Sequence, residues 1–253
     1  MKSMVVVSAH AADWCTRAGG AVLKYVEMGY SVTVIILTYG IRGESRQFWV
    51  DHPNGPSDLC RNIRIEEIKS VSEYMGVKVE CMDYDDYPLT MDEDRIRKIT
   101  MRLLELRPEI VLTHWVEDKL NPDHAATADA CIKAIGSAGR LGAFPGMRAL
   151  PFPDVFFFES TLPNSQFNNF NMNIFIDIGD VYERKINAVS LFAAQPELVP
   201  FYKNCAAQRG REATDWLRVP GKKIEFAEAF HRYLPYLGKT LPLSDRGSLE
   251  ENI

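Results

Sequence analysis

The feature that most constrains the fold of this chain is a regular alternation of short apolar runs with helical segments over roughly its first 140 residues. The apolar runs are rich in β-branched residues and only four to seven residues long, which is typical of strands buried on both faces. We predict four such strands, at 4–8, 31–37, 77–82 and 110–113, with helices at 16–28, 62–75, 92–106 and 123–136. Alternating strands and helices favour an α/β fold with a mostly parallel sheet and crossover helices.

The second part of the chain is less regular. We predict strands at 155–158, 173–178 and 222–229 and helices at 181–193 and 197–211. Segment 39–60 contains Gly, Pro, Ser and Asn with little periodicity, which indicates a long loop of the kind that is often functional. We expect one domain over 1–253, with a core at 1–140 and a C-terminal portion at 141–253 that completes the site.

Composition excludes several classes of protein. Hydrophobic residues make up 46% and charged residues 25% of the chain, which are ordinary globular values and exclude disorder. The net charge of −5 favours neither nucleic acid nor a membrane surface as a partner. No signal peptide or spanning segment is visible. The five cysteines form no CxxC pair, so we expect free thiols in a reducing cytoplasm.

Charged and polar residues collect after the predicted strands, where open parallel sheets place their sites. They are His10, Asp13, Arg42, Glu44, Asp85, Asp86, His114, Asp118, Asn121, Asp123 and His124. Of these, His10, Asp13 and His124 form a candidate zinc site, because two imidazoles and a carboxylate leave one position open for water or substrate. The set requires strands 1 and 4 to be neighbours. The alternative for His10 is an ordinary turn residue, since H-x-x-D spacing also occurs by chance.

Two segments resemble a known family. AHAADWCTRAGG at 9–20 and NPDHAAT at 121–127 are similar to the PHPDDE…GG and HPDH signatures of the LmbE-like, or PIG-L, deacetylases. The resemblance implies a Rossmann-like open sheet, a zinc ion held by His10, Asp13 and His124, and hydrolysis of N-acetyl groups on sugars. Ala12 stands where these enzymes carry their general base, and Asn121 where they carry an oxyanion-stabilising His. Because such groups typically supply about 10²–10⁴-fold, a deacetylase lacking both is expected to be slow.

The 4-oxalomesaconate hydratase branch of this family differs from the deacetylases in a similar way. It is similar to this chain in RAGG at 17–20, RGES at 42–45, DDYPL at 85–89, NPDH at 121–124 and QRG at 208–210. One difference is visible, because Glu159, Ser160 and Thr161 stand where the branch runs Glu-Pro-His.

The resemblance implies roles for further residues in hydrating a conjugated substrate. Glu44 is the expected proton-transfer residue, and Asn121 is expected to hydrogen-bond the substrate or a water on the metal. Arg42, Arg17 and Arg209 are expected to bind substrate carboxylates, which arginine pairs with bidentately. Ordinary alternatives remain: a solvated loop carboxylate for Glu44, a turn residue for Asn121 and surface charges for the arginines.

Three functions stay open at this point. The first is a zinc-dependent hydratase (a hydro-lyase) acting on a carboxylated enone or dienol from aromatic-ring cleavage, such as 4-oxalomesaconate. The second is a zinc-dependent N-acyl deacetylase that uses Glu44 as its base, and the third is a non-catalytic binding protein. The first predicts one Zn²⁺ ion, with another divalent ion as the alternative, and a small polycarboxylate as substrate. We also expect a cytoplasmic homo-oligomer without nucleic-acid or membrane partners.

Overall fold

The computed structural model describes residues 2–161, 167–217 and 223–242. The strands in these ranges are β1 Ser3–Ser8, β2 Ser31–Thr38, β3 Lys78–Tyr84, β4 Ile110–His114, β5 Asp154–Phe158, β6 Ile174–Asp177 and β7 Ala227–Arg232. The helices are α1 Asp13–Glu27, α2 Arg46–Asp51, α3 Ser57–Met75, α4 Glu93–Leu106, α5 Pro122–Ala138, α6 Tyr182–Ser190 and α7 Leu198–Leu217.

These seven strands form one open sheet in the order β3-β2-β1-β4-β5-β7-β6. The first five are mutually parallel, whereas β7 runs antiparallel to both β5 and β6. The central strands are apolar and buried along nearly their whole length, because helices cover both faces of the sheet. The predicted α/β fold with a mostly parallel sheet is confirmed.

Two apolar clusters hold the helices against the two faces. On one face, α1, α3, α6 and α7 contribute Val22, Val71, Ile186 and Ala206. On the other face, α4 and α5 pack through side chains such as Leu103 and Ile135. None of the helices in the described part of the chain is long and apolar enough to cross a membrane.

The order of strands decides where a site can form. Strand β1 lies between β2 and β4, and the chain runs outward to β3 on one side and to β5 on the other. A crevice opens at such a switch point, outside the carboxyl ends of the two strands where the order reverses. The loops that follow β1 and β4 therefore lie side by side, as the predicted zinc site requires.

The ends of the predicted helices shift by up to six residues, as at α7, and two segments need a larger correction. Segment 39–60 is not all loop, because it contains α2 and the start of α3; α2 forms where Phe48 is buried and the Trp49 indole N–H donates to the carbonyl of Ile41 at 2.7 Å. The late strand predicted at 222–229 is β7, Ala227–Arg232, displaced toward the C-terminus. Lys222, at the start of that prediction, lies outside the described residues.

Candidate active site

The three predicted metal ligands converge at the switch point. Nδ1 of His10 lies 3.0 Å from Oδ2 of Asp13, and Nε2 of His124 lies 3.3 Å from the same oxygen. One ligand atom from each of these residues lies within 4.8 Å of the others. All three side chains are buried, with at most 3% of each residue exposed. This separation leaves room for an ion between the donors.

Local folding brings the ligands to one point. Helix α1 begins at Asp13, directly after the turn that ends β1, and the backbone N–H of His10 donates to Oδ2 of Asp13 at 2.9 Å. This bond folds the His10 ring and the carboxylate onto the same side of the turn. On the neighbouring loop, Pro122 begins α5 and places His124 in its first turn, a position at which proline's missing N–H costs nothing.

Each of the two histidines uses its second ring nitrogen to contact a buried carboxylate. Nε2 of His10 lies 3.2 Å from Oδ2 of Asp123, and Nδ1 of His124 lies 2.9 Å from Oδ2 of Asp118. Asp123 therefore orients His10. Carboxylate–histidine–metal arrangements of this kind fix the ring and raise the basicity of the ligand.

These carboxylates also govern the charges of the site. Burial opposes a charged imidazole at His10, but Asp13 and Asp123 outweigh it and raise the pKa of His10 to about 10. Burial likewise opposes the charge on Asp118, yet its hydrogen bond with His124 holds the pKa of this carboxyl at about 2. The pKa of Asp13 is lowered well below its usual range despite burial, because His124, Arg17 and His10 surround it. An ion bound here would displace the proton of His10.

The donor set fits a divalent zinc-like ion. Nε2 of His124 is buried and makes no hydrogen bond to any part of the chain that the structure describes. A buried polar atom without a partner is costly, and coordination to an ion at this point would satisfy it. With His10 and Asp13 it makes two nitrogens and one carboxylate, a set that leaves a coordination position free for water or substrate.

Glu44 faces the same point from the loop after β2. Its Oε1 lies 3.9 Å from Nδ1 of His10 and accepts hydrogen bonds from the Asn121 amide at 3.1 Å and the Tyr87 hydroxyl at 3.2 Å. Its Oε2 accepts from the Gln195 amide at 2.8 Å. The side chain is therefore fixed by three donors beside the candidate ligands.

A cavity of about 230 Å³ opens beside Asp13 and Glu44. It is lined by Ala12, Asp13, Thr16, Arg17, Glu44, Thr161, Gln195, Glu197, Leu198, Phe201 and Tyr202. Among the described residues, Arg17 is the one cation in this lining. Its Nη1 donates to Oδ1 of Asp13 at 2.6 Å, while its buried Nε has no hydrogen-bond partner in the same part of the chain. The guanidinium of Arg17 is therefore the group in this lining that would attract an anionic ligand.

The other two predicted substrate-binding arginines lie apart from this cavity. Arg42 is largely exposed, pairs with Asp85 at 3.0 Å, and donates its backbone N–H to the buried carboxylate of Asp86. Arg209 forms ion pairs with Glu159 and Glu212. It lines a smaller cavity of about 20 Å³ that shares Arg17 with the larger one.

Three residues that contact the site were not assigned a role in it from the sequence. Tyr87, Gln195 and Thr161 reach the site from three separate loops, and Thr161 donates through its backbone N–H (2.6 Å) and hydroxyl (2.8 Å) to Oδ2 of Asp118. The DDYPL segment was a signal for Tyr87, but nothing in the sequence points to Gln195. His114 supports the site from the end of β4. Its ring stacks on that of His124 with 4.1 Å between ring centroids, and its Nε2 accepts the backbone N–H of Ala9 at 2.9 Å.

Comparison with known proteins agrees with the geometry of the site. Residues 5–135, just over half of the chain, match the family model described as PIG-L, GlcNAc-PI de-N-acetylase. The chain belongs to the PIG-L family. It is 32% identical over 241 residues to a 4-oxalmesaconate hydratase of Pseudomonas putida KT2440, covering 95% of this chain and 92% of that protein.

Solved structures agree with this placement. The crystal structure of GalB, the 4-carboxy-2-hydroxymuconate hydratase from Pseudomonas putida KT2440, superposes with a TM-score of 0.90 at 32% identity, covering 96% of this chain and 100% of that one. A diacetylchitobiose deacetylase of Thermococcus kodakarensis is 27% identical over 225 residues, 83% of this chain and 79% of that protein. The predicted resemblance to the PIG-L family and its hydratase branch is confirmed.

Proposed function

We propose that the protein is a zinc-dependent hydratase that adds water to a conjugated, carboxylated enone or dienol of the 4-oxalomesaconate type, as formed in aromatic-ring cleavage. The observation that carries the proposal is the site itself: Glu44 is fixed beside a His10–Asp13–His124 ligand set, while Ala12 and Asn121 replace the deacetylase acid–base groups. The likeness to the hydratases over nearly the whole chain supports it.

The roles of the site residues follow from their contacts. His10, Asp13 and His124 would hold the zinc ion, which when bound acts as a Lewis acid on water or on a substrate oxygen. Glu44 transfers the proton, since its carboxylate is held beside the ligand set and opens onto the cavity. Asn121 fixes Glu44 through its amide N–H, and its buried Oδ1, which has no partner among the described residues, is free to accept a hydrogen bond from substrate or water.

The charge of the cavity restricts how a polycarboxylate binds. In the part of the lining that the structure describes, Arg17 is the one cation, against the carboxylates of Asp13, Glu44 and Glu197. An acidic lining counts against an anionic substrate unless the ion contributes its two positive charges. We therefore assign Arg17 and the ion together to substrate carboxylates. Arg42 and Arg209 are less favoured as residues that bind substrate carboxylates, because each already pairs with an acidic side chain.

The proposal is tested by giving the zinc-loaded protein two substrates in parallel. We expect 4-oxalomesaconate to lose its dienol absorbance and N-acetylglucosamine conjugates to release no acetate. Asp13→Asn, which removes a ligand charge, is the control and should abolish the absorbance change. Release of acetate without loss of the dienol signal would instead support the deacetylase, and activity in neither assay would favour a binding protein.

The remaining expectations stay proposals. A reducing cytoplasm is supported by the five cysteines, all of which are free thiols. A homo-oligomer and a single domain over 1–253 stay predictions.

A further inference from the structure

Gln195 and Arg64 form a buried hydrogen-bonded connection that ends on Glu44. Gln195 lies between α6 and α7 and is 5% exposed, and Arg64 lies on α3 and is fully buried. The Gln195 amide nitrogen donates to Oε2 of Glu44 at 2.8 Å, and its amide oxygen accepts from Nη2 of Arg64 at 3.2 Å. Gln195 lines the cavity but Arg64 does not, so contact with a substrate does not explain the bond between these two side chains.

Chemistry sets the orientation of the Gln195 amide. Arginine can only donate hydrogen bonds, and an ionised carboxylate can only accept them. The amide oxygen must therefore face Arg64 and the amide nitrogen must face Glu44. The reverse orientation would place an oxygen against a carboxylate and an N–H against a guanidinium, so it is excluded.

Arg64 is itself held from three sides. Its Nη1 donates to Oε2 of Glu67 at 2.7 Å, and its Nε donates to the carbonyl of Tyr39 at 3.1 Å. The other oxygen of Glu67 accepts the backbone N–H of Ala194, the residue before Gln195, at 2.7 Å. The Arg64–Glu67 pair thus fixes both the side chain and the backbone at Gln195.

We propose that Gln195, oriented by Arg64, is a positioning residue that sets the plane of the Glu44 carboxylate for proton transfer. The proposal rests on the proposed hydratase function. Asn121 and Tyr87 both bind Oε1 of Glu44, so on their own they leave the position of Oε2 free to vary. The bond from Gln195 to Oε2 removes that freedom. Misplacing a catalytic carboxylate by about 1 Å can lower the reaction rate by about 100-fold.

The test compares Gln195→Leu with Gln47→Leu, both loaded with zinc. Gln47 is a matched control, because it lies three residues from Glu44 but its side chain bonds Asp51. We expect Gln195→Leu to lower kcat by about 10- to 100-fold with little change in KM or zinc content. Its crystal structure should show the Glu44 carboxylate rotated or in two conformers. Gln47→Leu should match the wild type in each measurement.

Gln195→Glu keeps the size and the contact with Arg64 but replaces the donor by an oxygen facing Glu44. It should lose at least as much kcat as Gln195→Leu, and it decides the question if the leucine variant fails to fold. An unmoved Glu44 in these variants, or wild-type kcat in an active enzyme, would overturn the proposal. If the wild type does not hydrate the substrate, the proposed function fails, but the position of Glu44 in the crystals still tests the role of Gln195.

Discussion

Glu44 is the side chain on which turnover is expected to depend most. Glu44→Gln keeps the shape of the side chain and its contact to Asn121 but removes the group that carries a proton. We expect zinc content to be unchanged and kcat to fall by about 10²–10⁴-fold, measured by metal analysis and steady-state kinetics. Glu197→Gln is the matched control, since Glu197 lines the same cavity and the substitution removes the same charge. Normal kinetics in Glu44→Gln would remove Glu44 from the mechanism.

Asp118 is expected to govern metal affinity without touching the metal. Its pKa of about 2 keeps it ionised at any assay pH, so it presents a full charge to Nδ1 of His124. Asp118→Asn should weaken zinc binding by about 10- to 100-fold, measured by competition with a chromophoric chelator. Asp129→Asn, on the exposed side of α5 beside Lys133, should leave the affinity unchanged. Equal affinities in the two variants would contradict the role of Asp118.

At the scale of single residues, the sequence predicts those members of the site that belong to a short motif. His10, Asp13 and His124 could be selected because two short segments carry them at the ends of predicted strands. The partners that orient them are harder to find, because the Asp123–His10 contact joins residues 113 positions apart and the Gln195–Glu44 contact joins residues 151 positions apart. Such pairs depend on how the strands are ordered, which no local pattern encodes.

At the scale of elements, the loop between β2 and α2 is shaped by Gly43. A Cβ atom at this position would lie 2.0 Å from Cε2 of Tyr87, which is too close for two non-bonded carbon atoms. Gly43→Ala should therefore displace Tyr87 and, through its hydroxyl contact, Glu44. We expect kcat to fall by roughly 10-fold or more while zinc content is kept, because small displacements in a site are costly.

The matched control for Gly43 is Gly142, another loop glycine. A Cβ at Gly142 meets nothing within 4 Å and its backbone is not in the left-handed region, so Gly142→Ala should behave as wild type in kinetics and thermal unfolding. Unchanged kinetics in both variants would show that the close approach of Tyr87 is irrelevant to catalysis.

Element prediction works best where burial leaves a continuous apolar run. The strands β1, β2 and β4 are central, so their sequences are unmistakable and their parallel pairing follows from the helices between them. Strand β7 is harder, because it pairs antiparallel between β5 and β6 and buries Glu228, which accepts the backbone N–H groups of Gly20 and Ala21. A buried carboxylate of this kind breaks the apolar pattern that a search for strands relies on.

At the scale of the whole molecule, the metal is expected to be part of the stability of the fold. An ion that binds only the folded protein stabilises it by about 2.7 kcal/mol when its free concentration is 100 times Kd. For a chain of this size this corresponds to a rise in Tm of roughly 5–10 °C. Differential scanning calorimetry with and without a chelator should show the difference, and Asp13→Asn should show little of it.

The size of this zinc effect is expected to grow with pH. In the metal-free protein the pKa of His10 is raised from 6.5 to about 10, so the stability from its protonated form is complete below pH 6.5 and is lost as pH rises through 10. Zinc binds only the neutral ring, so it must displace the proton of His10. The apparent free energy of zinc binding therefore becomes more favourable by about 1.4 kcal/mol for each unit of rising pH in that window. The rise in Tm on adding zinc should therefore be larger at pH 8.5 than at pH 6.5. An equal rise at both pH values would show that Asp13 and Asp123 do not hold a proton on His10.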